Sequence, residues 1–407
     1  MADASPEQSQ KNWFEENPKK TLVLIFLIFL VAATWAAEKV LASRNHSLNR
    51  VLFTERRYIN LREFQPSIDV VYTPTDKEVR ESDGLVKKAY RVRTDANGLL
   101  LPYNRYPHPD LTLAFLGGST VACLYVEEEN RYPYLVGNLI EKATGDKVTS
   151  YNSGVGGNNS LHSLDILLNK LIPLHPDVVV MMHNINDLVS LIYDQTYWSN
   201  NPTRGPIIDY KLYKNLTGMK AIATLARDTY IPDLHLAFRS LCKKVAATFG
   251  RKVRDPEDEF AKERGRKIVF DPARILDEFR MNLQTFINIC RARQITPVLM
   301  TQFNRYKSNP DEKIRQAMKG FESGSQISAQ EFKEIYDKFN EATVEVGRRN
   351  GVLVIDLAHL IPQEAKYMYD VVHVNTAGSR LAAQIISEQL LPVAMPKKLP
   401  GRGETPK

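Results

Sequence analysis

The run DVVVMMH, Asp177 to His183, places the tightest limit on what this chain can fold into. It is apolar on consecutive positions, and successive side chains of a strand point to opposite faces. Both faces therefore need cover, as they do in a parallel sheet flanked by helices. Four more stretches read as strands: LTLAF (111–115), KVTSYN (147–152), ITPVLMT (295–301) and VLVIDL (352–357). Helical patterns fall between them, at about 132–144, 160–174, 272–293, 330–350 and 376–391. Alternating strands and helices predict an α/β fold with a mainly parallel five-stranded sheet covered on both faces.

The rhythm is broken once. After the third strand, residues 188–271 form an insertion in which Leu234, Ala237, Phe238, Leu241, Cys242, Val245 and Phe249 recur at helical spacing. Either a helical excursion packed on the body or a lid beside the cleft suits that pattern. Residues 111–392 make the main domain, preceded by a membrane-proximal segment at 38–110 and followed by a basic tail at 393–407.

Residues 1–20 are a polar lead to TLVLIFLIFLVAATWAA, Thr21 to Ala37, which carries no charge. As a helix this run spans roughly 26 Å, a little short of a bilayer core, with flanking lysines able to reach the interface. It is expected to be an uncleaved, single-pass contact with membrane lipid. A cleaved signal peptide and a buried helix are the alternatives. Three Lys/Arg precede the run and five follow it in an equal window, a count that leans against a cytoplasmic N-terminus.

The net charge of +7 is concentrated in residues 243–267 and 397–407. No nucleic-acid motif accompanies it, so nucleic-acid binding is not expected. Cys123, Cys242 and Cys290 lie far apart among apolar residues and read as buried thiols. The eight histidines show no ligand spacing, so neither a metal nor a cofactor is expected.

The unusual residues gather after strands. Gly117-Gly118-Ser119 follows the first strand and NSGVGGNNS (152–160) the second. HNIND (183–187) follows the third, and YDVVHVN (369–375) comes shortly after the fifth. Open parallel sheets bind ligands beyond these carboxyl ends. Each motif alone has a plainer account: a turn with an N-cap, a local cap, a loop carboxylate or a core histidine. Together they suit nucleophilic catalysis. A serine hydroxyl needs a base, for which His373 is the candidate, and the base needs a carboxylate to orient its ring. Asp370, three residues before His373, shares its loop.

This set resembles the SGNH-hydrolase superfamily of GDSL-type serine esterases and lipases. Gly118-Ser119, Asn152 with Gly157, Asn186-Asp187 and Asp370-Val371-Val372-His373 are similar to its four blocks. Two positions depart from the usual pattern: Gly118 stands where an Asp is common, and Asn184 where a Gly is usual. The resemblance implies a flavodoxin-like three-layer α/β/α domain with Ser119, His373 and Asp370 as a catalytic triad. It also implies an oxyanion hole built from the Ser119 N–H, the Gly157 N–H and the Asn186 amide. A membrane-anchored esterase is expected, extracytoplasmic like similar anchored members and acting on a carbohydrate O-acyl or lipid-like ester. The alternatives are a polysaccharide O-acyltransferase with the same site and a non-catalytic anchored scaffold.

Overall fold

In the computed structural model, five strands pair side by side: β1 (Leu111–Gly117), β2 (Val148–Asn152), β3 (Val178–Met182), β4 (Thr296–Met300) and β5 (Leu353–Ile355). Every pairing is parallel and the order is β2-β1-β3-β4-β5. That is the flavodoxin-like order, whose winding reverses at the gap between β1 and β3. The structure describes residues 12–44, 58–59, 61–199, 201, 204–208, 219–231, 234–235, 237–238, 241–242, 267–307 and 309–394.

The two-residue period of the strands sorts their side chains between two cores. Ala114, Leu116, Val179, Met181 and Leu299 pack with α2 (Ser160–Ile166), α3 (Ile185–Asp194), α4 (Pro272–Ala292) and α5 (Ala329–Asn350), through residues such as Leu164, Leu188, Phe279 and Phe339. Leu113, Phe115, Val178, Val180, Met182, Val298 and Met300 pack with α1 (Tyr132–Thr144) and α6 (Thr376–Ala394), through Val136, Ile140, Ile386 and Leu390. Each fully buried Val, Leu, Ile, Phe or Met among them contributes about 1.5–3 kcal/mol. The run Val178–Met182 is buried at every position because it feeds both cores.

Two expected boundaries shift. The helix expected over 160–174 keeps α-geometry only to Ile166, then continues as a π turn and a 3-10 turn at Ile172–Leu174. Pro173 supplies the reason, since it has no N–H for the helical ladder. The insertion expected from Leu188 opens with core residues, for α3 runs to Asp194 and buries Leu188, Leu191 and Ile192.

The segment before β1 is built into this body. Asp69–Tyr72 and Tyr90–Arg93 pair antiparallel, and the Leu100 N–H donates to Asn152 O on β2 at 2.9 Å. Arg131, 1% exposed, holds the segment down by donating to Arg91 O (2.9 Å), Leu101 O (3.3 Å) and Cys123 O (3.3 Å). Buried Glu128 lies 3.9 Å from it and pairs with Arg93 at 2.7 Å.

Residues 1–58 and 209–258 form a separate unit. Its helix Pro18–Arg44 is long and apolar enough over 23 residues to cross a membrane, about 35 Å of rise. The apolar side chains from Leu22 to Val31 are all exposed. At the far end Glu38 is buried and its carboxylate accepts the Leu234 N–H at 3.1 Å. Phe238, Leu241 and Cys242 are exposed, whereas the sequence placed Cys242 among buried thiols; Cys123 and Cys290 are buried. The amphipathic pattern at Val245 and Phe249, and the basic tail beyond Ala394, lie outside the described residues.

Arg131→Ala strips donors from three backbone carbonyls and a counter-charge from Glu128. We expect it to lower unfolding stability by about 3 kcal/mol or more, measured by denaturant titration of the purified protein.

Candidate active site

Ser119 stands where β1 turns into a single helical turn, Ser119–Ala122. It is the one partly exposed residue in an otherwise buried run from Leu111 to Cys123. Gly118 admits the sharp bend at close quarters. A Cβ there would lie 2.4 Å from Asn186 Nδ2, so a side chain at 118 and the present Asn186 position exclude each other. The departure from Asp at this position therefore has a local cause.

His373 Nε2 lies 2.7 Å from Ser119 Oγ, and its Nδ1 lies 2.7 Å from Asp370 Oδ2. The other oxygen of Asp370 accepts the Val372 and His373 N–H groups at 2.9 and 2.7 Å. With Nδ1–H donated to the carboxylate, Nε2 is left as acceptor for the Ser119 hydroxyl. The Tyr369 ring lies parallel to the imidazole, 5.7 Å between centroids, and limits its tilt. Burial pushes the His373 pKa down, but the Asp370 charge, the hydrogen bond to it and nearby Glu78 outweigh that and raise it above 6.5. Burial pushes the Asp370 carboxyl up, and the His373 charge with three hydrogen bonds pulls it below the usual range.

Three N–H donors come from the turns that follow β1, β2 and β3. Gly157 has φ +78°, a conformation that favours glycine, in the turn closed by Asn158 N–H to Val155 O. Among the described residues, the Gly157 and Ser119 N–H groups donate to no carbonyl or side chain. Asn186 Nδ2 donates one hydrogen to Asn158 O at 2.9 Å and keeps a second. All five residues singled out in the sequence thus meet at one edge of the sheet. Asn184 needs no glycine's freedom: its φ is extended, at −167°, and its Nδ2 is buried against Tyr336 O and Asn340 Oδ1.

Other residues at the site carry no motif. Gln302, just past β4, donates to Thr120 Oγ1 (2.8 Å) and accepts from the Ile185 N–H and Tyr336 OH (2.9 Å each). Arg62 reaches from the segment before β1 to Gly156 O at 3.2 Å. Glu78 accepts from Tyr125 OH at 2.8 Å. A polar residue at a strand's carboxyl end was the one available signal for Gln302; Arg62 and Glu78 had none. His162 and His183, unassigned from the sequence, are buried; His162 reaches Arg204 O and His183 pairs with Ser163 Oγ at 2.7 Å. Among the described residues no cluster of metal-ligating side chains occurs.

The Ser119 hydroxyl, the His373 imidazole and the Asp370 carboxylate thus form one hydrogen-bonded row beyond the carboxyl ends of the strands. The model of the GDSL-like lipase/acylhydrolase family matches residues 115–381, and the chain belongs to that family. It is a GDSL-type serine ester hydrolase. Among solved structures it is similar to a lipase/acylhydrolase from Enterococcus faecalis, at 16% identity over 71% of this chain and 99% of that one, with a TM-score of 0.39. An acetylxylan esterase from Geobacillus stearothermophilus is similar at 14% identity, over 69% of this chain and 94% of the other, with a TM-score of 0.39. No curated protein matches the sequence.

Gly118→Ala displaces the Asn186 amide while leaving Ser119 and His373 intact. We expect kcat on a small ester to fall by about 10- to 100-fold with the melting temperature little changed.

Proposed function

We propose that the chain hydrolyses an acyl ester, of a carbohydrate or a lipid-like alcohol, through an acyl-enzyme on Ser119. The observation that carries this is the 2.7 Å approach of His373 Nε2 to Ser119 Oγ with Nδ1 already occupied by Asp370. Ser119 Oγ attacks the ester carbonyl while its proton passes to His373 Nε2. The carbonyl π pair moves onto oxygen, and the Ser119 N–H, Gly157 N–H and Asn186 Nδ2 receive that oxyanion. On collapse the C–O bond to the alcohol breaks and His373 returns the proton to the departing alkoxide. Water, deprotonated by the same imidazole, then attacks the acyl carbon and frees Ser119. Asp370 keeps its negative charge throughout and stabilises the imidazolium.

Labelling with a fluorophosphonate tests the nucleophile. Ser119 is expected to be modified, Ser119→Ala not at all and His373→Ala only slowly; a folded wild-type chain that ignores the probe refutes the proposal. The base must be neutral to act, so kcat/KM is expected to fall as pH drops through an inflection above 6.5. Asp370→Asn removes the main influences that raise it, so the inflection moves down and kcat drops about 10,000-fold.

We further propose that the helix within residues 18–40 anchors the chain in a membrane, with the catalytic domain on the extracytoplasmic side; the helix's exposed apolar surface and length support the anchor. Full-length chain is expected to stay with membranes after alkaline carbonate washing, and a chain lacking residues 1–37 to be released. Recovery of the full-length chain in the wash would refute the anchor.

A further inference from the structure

Behind the donors of the site lies a carboxylate that no step of the chemistry uses. Asp187 follows Asn186 at the start of α3 and is wholly buried. Its two oxygens accept the Ser160 N–H at 2.9 and 3.1 Å, and its Oδ1 also accepts the Ser160 hydroxyl and Tyr197 OH, the latter at 2.6 Å. From α4, Asn282 Nδ2 donates to Ser160 Oγ at 2.8 Å, which leaves that hydroxyl's own hydrogen for Asp187. His183 Nδ1 lies 3.3 Å from Oδ2.

Ser160 begins α2, directly after the loop that carries Gly157. Two consecutive residues of α3 therefore grip the same short piece of chain from opposite sides. Asn186 holds Asn158 O on the cleft side, and Asp187 holds Ser160 on the buried side. A helix turns about 100° per residue, so neighbours naturally face different ways.

We propose that Asp187 is a positioning residue for the oxyanion site, its ionised carboxylate clamping the start of α2 to the start of α3 and so fixing the Gly157 N–H relative to the Asn186 amide. This rests on Gly157 and Asn186 being the oxyanion donors. At Oδ1 only an acceptor suits, because Ser160 N–H, Ser160 OH and Tyr197 OH all point donors at it. A proton on Oδ2, which faces His183 Nδ1 at 3.3 Å, would neutralise the carboxylate and weaken the charge-assisted hydrogen bonds that Ser160 and Tyr197 make to Oδ1. Burial raises the Asp187 pKa to about 6, against the pull of Ser160 and Tyr197. The titratable groups around it offer no counter-charge. His183 is driven to about 3 by burial and is neutral, His162 beside it likewise, Tyr197 is pushed up, and Glu278 acts on Tyr197 with like sign. The clamp therefore loosens as pH falls through about 6, below the point where His373 gains its own proton.

The test is the acid limb of kcat/KM in the full-length protein. In the wild type the slope against pH is expected to steepen from one to two below about 6. Asp187→Asn is expected to keep a folded spectrum, lose about 10- to 100-fold in kcat with KM within about threefold, and show a slope of one throughout. No loss of kcat, or a loss with the slope still reaching two, overturns the proposal. Should Asp187→Asn not fold, Tyr197→Phe decides, for it removes one donor and keeps the rest. Its second inflection should move upward by about half a unit or more, and an unmoved inflection overturns the proposal. Asn186→Ala, run alongside, separates the two ideas. Full activity there refutes the oxyanion assignment itself, whereas loss there with Asp187→Asn unimpaired refutes only the clamp.

Discussion

Parallel pairing of β1 with both its neighbours is the constraint the whole site inherits. Phe115 pairs with Asn152 on one side, and Gly117 with Met182 on the other. Three chains therefore leave the sheet at one level and in one direction. Ser119, the Gly157 loop and the start of α3 emerge side by side because winding reverses between β1 and β3, which opens a crevice there. His373 arrives differently, in a tight loop closed by the Met368–Val374 bridge. The Asp83 N–H holds this loop by donating to Tyr369 O at 2.6 Å. The sheet positions Ser119 and the loop positions His373.

Beneath these loops lies a polar layer that an all-apolar core would lack. Gln302 joins Thr120 on the serine turn to the Ile185 N–H at the start of α3 and to Tyr336 on α5. Asn340 links Gln302 to Asn184 through one side-chain oxygen. Each buried hydrogen bond adds only about 1 kcal/mol, but an unmade one costs more, so the network resists any slip of one loop against another. A 2.7 Å contact between Ser119 and His373 needs that stiffness, since small misplacements reduce rate sharply.

Much of this could be read from the chain because the governing periods are short. The strands show themselves by largely apolar runs and their carboxyl ends by the polar residues that follow, which brings Ser119, Asp370 and His373 into view; Gly157 and Asn186 are named through the family resemblance of their blocks. What escaped was long in range. Nothing near Arg62 or Glu78 announces that the segment before β1 folds back onto the site, because that placement depends on Arg131 reaching Arg91 O across 40 positions. Gln302 was passed over since one glutamine has no pattern. Cys242 was misjudged because apolar neighbours in an amphipathic stretch do not say which face is covered, and Phe238 and Leu241 beside it are exposed too.

The two carboxylates near the site show how surroundings divide one chemistry into two tasks. Asp370 keeps a side chain about 30% exposed and faces an imidazole that accepts positive charge, so its ionised form is favoured and its pKa falls. Asp187 is sealed from water with only neutral donors around it, so ionisation is opposed and its pKa rises to about 6. Hydrogen bonds of similar length therefore have different consequences. Those to Asp370 stabilise a charge that His373 complements when it takes a proton, which suits a group coupled to the reaction. Those to Asp187 hold a charge that nothing complements, so its benefit must lie in the geometry it enforces between α2 and α3.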